Sequence, residues 1–228
     1  MRREAQRHAA FARPEAMLCS QDFRPLESGV AAALCHRTPR RWRAAVVALV
    51  CYTFTAFADA PTEKWVSLFN GTNLSGWVVM NGGKFSVTNG ALRIDGGMGW
   101  LRTERAFTNF VLQAEWRGLE TNYNSGFFLR AGLEGKPMPT NGWQVNLKQG
   151  DLGAWLKNKD IKFSPKPPIV PQGEWAVFTM AARGTNATLW LNGQELWTQP
   201  FDAARGFVGI QAEDKRMEVR SVRVQELP

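Results

Sequence analysis

Short apolar runs alternate with polar positions through most of the chain, and tight-turn dipeptides punctuate them. Over 110–117, Phe110, Leu112, Ala114 and Trp116 share one face of an extended segment, while Val111, Gln113, Glu115 and Arg117 share the other. Over 143–148, apolar Trp143, Val145 and Leu147 alternate with polar Gln144, Asn146 and Lys148; likewise Phe127 and Leu129 alternate with Phe128 and Arg130. A period of two marks half-buried strands. The pairs Asn70-Gly71, Asn81-Gly82, Asn89-Gly90, Asn141-Gly142 and Asn192-Gly193 supply the two positive-φ positions of a type I′ hairpin turn. The clearest predicted hairpin joins 188–191 to 194–197 through Asn192-Gly193. Near the C-terminus Met217 and Val219 keep one phase and Val222 and Val224 the other, which predicts a bulge near Ser221. Segment 157–172 carries Lys157, Lys159, Lys162 and Lys166 with Pro165, Pro167, Pro168 and Pro171, and reads as an exposed loop. No long segment has a 3.6-residue period. Many short strands with tight turns predict an all-β sandwich or barrel.

The beginning of the chain follows another rule. Arg40, Arg41 and Arg43 precede an apolar run over 44–57, which closes on Ala56-Phe57-Ala58 before Asp59. A basic stretch, a short apolar stretch and a small-x-small site together predict a signal peptide cleaved after Ala58. Residues 1–58 are therefore expected to be a leader, and 59–228 a single all-β domain located in the periplasm or outside the cell. No run of 18 apolar residues exists, so no membrane span is expected once the signal is removed.

This division changes the electrostatics and the available chemistry. Residues 1–58 hold 9 Arg and 4 acids, whereas 59–228 hold 19 Lys+Arg and 16 Asp+Glu. The high isoelectric point thus belongs mostly to the leader and is poor evidence for a nucleic-acid partner, so none is expected. All 3 Cys and both His also lie in 1–58. The remainder can form no disulfide framework, no Cys or His metal site, no Ser-His-Asp triad and no Cys-His dyad. Its chemistry must come from carboxylates, Lys, Arg, Tyr, amides or a hard metal ion. Oxygen ligands would suit Ca²⁺, yet no calcium-loop spacing is present, so no metal ligand is assigned.

Two groups of residues could meet a ligand. Nine Trp follow Ala58. Trp116 and Trp143 fall in core phase, whereas Trp100 and Trp155 are flanked by Gly-rich or polar segments and could present an indole face to a sugar ring. Glu115, Arg117, Arg130, Gln144 and Asn146 project from strands whose opposite faces are apolar. They either form a surface of donors and acceptors suited to a hydroxyl-rich ligand or are simply the solvated side of a sheet.

The order of motifs adds a resemblance. Trp65-Val66-Ser67-Leu68-Phe69-Asn70-Gly71 through Leu74-Ser75-Gly76-Trp77 resembles the opening "SLFdGktLdGW" of the 3-keto-disaccharide hydrolase domain family. Phe85-Ser86-Val87 with Asn89-Gly90-Ala91-Leu92 is similar to its next hairpin, and Gly99-Trp100-Leu101 followed by 110–117 to its "GwL…f.dFeL..EfR" stretch. Asn124-Ser125-Gly126-Phe127-Phe128-Leu129-Arg130 resembles "NSGvfFR"; Gly173-Glu174-Trp175, Leu189-Trp190-Leu191-Asn192-Gly193 and Gly209-Ile210-Gln211 complete the order. The resemblance spans 65–227 and implies a concanavalin-like jelly roll of two antiparallel sheets. It also implies cleavage of 3-keto-glycosides outside the cytoplasm. The family's strand "GyEvQilD" reads Gly142-Trp143-Gln144-Val145-Asn146-Leu147-Lys148-Gln149 here, so an amide replaces a carboxylate at Gln144. The segment after Gln211, which often includes His in the family, holds Glu213 and Asp214.

A ketone at C3 acidifies the C2 hydrogen, so a base can form an enolate and expel the glycosidic oxygen from C1; water then adds. On the resemblance Glu115 is expected to be the base and Arg130 the enolate stabiliser. Asn124, Gln144 and Asn146 are expected to contact sugar hydroxyls, with Arg117, Trp100 and Trp155 beside them. Asp151, Glu213 and Asp214 are reserve bases or metal ligands. Two alternatives stay open: a carbohydrate-binding module without catalysis, favoured by Gln144, and a structural domain of the cell envelope.

Overall fold

The structure, a computed structural model, describes residues 64–228; the leader and the cleavage point after Ala58 lie outside the described residues. The described part contains strands and no helix. In chain order they are β1 (Val66–Ser67), β2 (Trp77–Thr88), β3 (Ala91–Phe107), β4 (Phe110–Gly118), β5 (Gly126–Ala131), β6 (Trp143–Asn146) and β7 (Trp155–Lys157). There follow β8 (Asp160–Phe163), β9 (Ala176–Arg183), β10 (Asn186–Leu191), β11 (Gln194–Pro200), β12 (Gly206–Ala212) and β13 (Met217–Glu226).

All pairings are antiparallel. The strands hydrogen-bond in the order β11-β10-β9-β4-β13-β3-β12-β5-β6-β7-β8, with β1 added to β13 and β2 to β3. The path folds into two layers at β3, whose residues 92–94 pair with β13 and whose residues 99–107 pair with β12. Between these parts Gly96 and Gly97 take positive φ (108° and 83°), and a Cβ at Gly97 or Gly99 would collide with the backbone of β2. Glycine is therefore what lets the hairpin bend from one layer to the other.

The alternating apolar residues face inward from both layers. Leu112, Ala114 and Trp116 of β4, Phe178 and Met180 of β9, and Leu189 of β10 share a single core with Phe127, Leu129, Trp143, Val145, Trp155 and Ile210. The architecture is the expected all-β jelly-roll sandwich. The bulge expected near Ser221 occurs at Arg220, where the register of β13 on β4 slips between Val219 and Ser221.

Turn chemistry was only partly as expected. Asn89-Gly90 and Asn192-Gly193 have positive φ at both residues and close two-residue hairpins. Asn81 instead lies inside β2, Asn70 uses its side-chain oxygen to accept from Thr72 N and Asn73 N, and Asn141 Oδ1 accepts from Gly132 N. The expected loop over 157–172 is shortened, because Asp160–Phe163 forms the edge strand β8. Its first three residues are exposed, and charges on such an edge deter further pairing.

Candidate functional site

The two layers present two outer faces, and the polar positions of the sequence divide between them. On the layer of β4 and β13, Arg220 pairs with Glu115, and Arg117 pairs with Glu218 at 2.7 Å. The guanidinium groups of Arg117 and Arg220 both stack on the Trp175 ring, at 4.5 and 4.3 Å. Glu115 and Arg117 therefore belong to a paired-charge surface.

On the other layer, β12, β5, β6, β7 and β8 form the floor of a cleft of about 620 Å³. Gln211, Phe128, Gln144, Asn146, Leu156 and Ile161 contribute to it, and the loop over 132–142 and the β7–β8 turn rise around it. Its volume falls in the usual range for small-molecule sites.

A row of hydrogen bonds crosses this floor. Gln144 Nε2 donates to Gln211 Oε1, Gln211 Nε2 donates to Glu213 Oε1 at 2.6 Å, and Asn124 Nδ2 donates to Glu213 Oε2. Both oxygens of Glu213 are thus fixed by amide donors, each keeping a lone pair for another proton or donor. Gln144 can lie across β5 because residue 126 is glycine: a Cβ there would collide with the Gln144 amide. Ser125 anchors the same place, its hydroxyl donating to Gln211 O at 2.7 Å. Next to the row, Asn146 Nδ2 makes a long 3.5 Å contact to Asp151 O, and Lys148 pairs with Asp151 at 3.0 Å.

Asn124, Gln144, Asn146, Asp151 and Glu213 accordingly meet in one cleft, whereas Glu115, Arg117, Arg130, Trp100, Trp155 and Asp214 do not line it. Glu115, Arg130 and Gln144 were expected to converge, and the fold separates them. Arg130 should face outward like Phe128 if β5 alternated strictly. Two residues of β5, Leu129 and Arg130, instead stand opposite Val208 of β12, and Arg130 has φ 50°. This bulge turns the guanidinium into the protein interior, where the residue is 2% exposed. There it donates to the carbonyls of Thr108, Ala182, Gly184 and Ala203 and to Asn109 Oδ1, and its pKa is lowered by burial. It bolts the end of the sandwich together and meets no cleft.

Trp100 and Trp155 likewise do not line the cleft. Trp100 is fully buried against Gly209, with its ring edge-on to Phe128 at 5.5 Å. Trp155 stacks on Trp143 at 4.8 Å in the main core, and its indole N–H donates to Pro200 O. Asp214 is exposed in the β12–β13 connection, outside the cleft lining. Of the three acids considered for Ca²⁺, Asp151 and Glu213 line the cleft and Asp214 does not. Among the described residues, no group of three or more His, Cys, Asp and Glu could hold a metal ion together. Gln211, Gly126 and Phe128 were not expected as site residues. Gly126, alone at an outward position of an apolar strand, is the one with a readable signal.

Residues 64–225 match the 3-keto-alpha-glucoside-1,2-lyase-like domain family. The chain belongs to that family. Membership makes this a carbohydrate-related domain. No curated protein matches it. Among solved structures, a candidate glycosyl hydrolase from Parabacteroides distasonis ATCC 8503 is similar with a TM-score of 0.62. It is 21% identical, with 73% of this chain and 95% of that one covered. The carbohydrate-binding module CBM66 from Bacillus subtilis gives a TM-score of 0.57 at 16% identity, covering 66% and 96% of the two chains. A Bacillus subtilis protein of unknown function with a galectin-like fold gives 0.54 at 12% identity, covering 72% and 94%. At these identities the likeness is one of fold.

Proposed function

We propose that the cleft binds a 3-keto-glycoside and cleaves it by elimination, with Glu213 as the base. The single observation that carries this reading is the position of the Glu213 carboxylate. It is held at the end of the Gln144–Gln211 row, on the wall of the cleft and beside Asn124. The family's carboxylate at the position of Gln144 is an amide here, and an acid stands at 213, in a segment where the family often has His. The proton acceptor is thereby shifted along one hydrogen-bonded row rather than removed.

In the proposed reaction Glu213 takes the C2 proton, and the C2–H electrons form the enolate with the C3 oxygen. Collapse of the enolate expels the glycosidic oxygen from C1, which leaves with a proton from solvent. The product carries a C1=C2 double bond conjugated to the ketone, and water adds across it to give the free 3-keto sugar. Asn146 Nδ2 and Lys148 Nζ, at the same end of the cleft as Glu213, supply donors for the enolate oxygen. The amides of Asn124, Gln144 and Gln211 fix the carboxylate so that it need not reorganise. The apolar wall of Phe128, Met138, Leu156 and Ile161 suits the C–H face of a sugar ring. The leader read over 40–58 puts this activity outside the cytoplasm.

Turnover of a 3-keto-glucoside tests the proposal. Glu213→Gln keeps shape and one acceptor, so turnover should fall by about 10²–10⁴ while sugar affinity stays within a few fold. Unchanged turnover would remove Glu213 from the role. A second reading, binding without turnover, is favoured by one observation: the Gln144 amide is committed to Gln211 and leaves the row a single carboxylate. Sugar binding by wild type with no cleavage of any 3-keto-glycoside would select it.

A further inference from the structure

The cleft is electrically two-ended. Asn124 and Glu213 flank the starts and ends of β5 and β12 at one end, together with Asn146, Lys148 and Asp151. The opposite end is built from the loop carrying Lys136, Met138 and Thr140 and from the β7–β8 turn of Asn158 and Lys159. These last two segments are joined, since Asn158 N donates to Gly142 O at 3.2 Å. Three lysines line the cleft, and among the described residues only Lys148 has a carboxylate within ion-pair distance; neither Lys136 nor Lys159 forms such a pair there.

Lys159 also sits where lysine is unfavourable. It has φ 72°, after Asn158 at φ 54°, in a two-residue turn of the kind that favours glycine at its second position. A lysine in the left-handed region lines this cleft at a conformational cost that glycine would not bear.

We propose that this end of the cleft recognises an anionic oxygen group, a carboxylate or a sulfate ester, carried by the part of the substrate that lies beyond the scissile bond. The inference rests on the sugar-cleft reading above and adds the substrate class: acidic glycosides rather than neutral ones. The ligand lies along the cleft with its reacting C1–C2 bond at Glu213 and its anion between Lys136 and Lys159. Two ammonium groups on separate segments supply up to six N–H donors with free rotation, which suits tetrahedral sulfate and planar carboxylate alike. Because both lysines are exposed, the preference should weaken as salt rises.

The test uses matched pairs of disaccharides, each pair differing only in a C6 carboxylate or a sulfate ester, with inorganic sulfate as a further arm. Titration calorimetry on the protein at low and at high salt gives the ratio of affinities. The anionic member of a pair should bind about tenfold more tightly at low salt. In the double variant Lys136→Gln, Lys159→Gly that ratio should fall towards one. Glycine suits the positive φ at 159, so the variant retains the fold, which circular dichroism checks. Stronger gain with the uronate or with the sulfate ester identifies which anion is read. Equal binding of neutral and anionic members overturns the inference and leaves the sugar cleft standing. A preference that survives in the double variant overturns the lysine assignment. Tight binding of inorganic sulfate with no binding of any disaccharide overturns both the inference and the sugar reading.

Discussion

Arg130 sets the residue scale, because its burial follows from a single unpaired position in a strand. Its five donated hydrogen bonds go to four carbonyls and one amide oxygen, contributed by the β3–β4 turn, by β9 and the turn after it, and by the segment before β12. Replacing Arg130 with Met removes the guanidinium from all five acceptors, of which Asn109 Oδ1 keeps the Gly184 N–H, so urea unfolding should show a loss of about 3 kcal/mol or more. Sugar affinity per folded molecule should be unaltered, since the side chain does not line the cleft. Gly126 predicts the reverse pattern. A methyl group there displaces the Gln144 amide and breaks the row that ends on Glu213. Gly126→Ala should therefore lose sugar affinity in calorimetry by more than its loss of stability explains. At this scale the sequence was readable only where pairing is unbroken. Alternation rightly turns Gln144 and Asn146 outward, but it presupposes regular register, and the bulge at Leu129-Arg130 reverses the arginine without changing a single residue type.

Elements are held in place by turns and by a few charged links between them. The β10–β11 hairpin needs positive φ at Gly193 (83°), where a β-branched residue is strained. Gly193→Val should lower stability by about 1 kcal/mol or more, read as a lower thermal midpoint. Asp202, in the segment before β12, accepts from the Trp143 indole N–H at 2.6 Å and pairs with Lys157 at 2.5 Å, tying that segment to β6 and β7. The Lys157 hydrogen bond, followed by that of Trp143, holds the Asp202 carboxyl below the usual carboxylate range. A lowered folded pKa means the stabilisation is complete above the unfolded carboxylate pKa and is lost as pH falls through the folded value. The effect is small because the carboxylate is largely exposed. Asp202→Asn should flatten that acid limb of the stability profile and leave stability above it nearly parallel to wild type. The Asn-Gly pairs show why elements are only partly legible. Asn89-Gly90 and Asn192-Gly193 lie between strands that pair directly up to the turn, and make hairpins. Asn70 and Asn141 have nearby backbone N–H groups to accept from, and their side chains take that role instead.

At the scale of the molecule, the number and alternation of strands sufficed to foresee two packed sheets with one core. Which polar positions share an outer face did not follow, because alternation distinguishes inside from outside but not one outside from the other. Glu115 on β4 and Gln144 on β6 have the same pattern in sequence, yet they belong to opposite layers. Only the path through β3, which carries the sheet from one layer to the other, assigns Gln144, Gln211 and Glu213 to a common cleft and Glu115 to the far surface. The proposal that Glu213 is the base follows from this topology. Its most direct test is proton exchange at C2, which reports enolate formation whether or not the glycosidic bond breaks. A 3-keto-glucoside incubated with the protein in deuterated buffer and followed by proton NMR should lose its C2 signal at an enzyme-dependent rate, slowed about 10²-fold or more in Glu213→Gln. A wild-type protein that binds the sugar without accelerating that exchange, or a Glu213→Gln variant that exchanges as fast as wild type, would contradict the account.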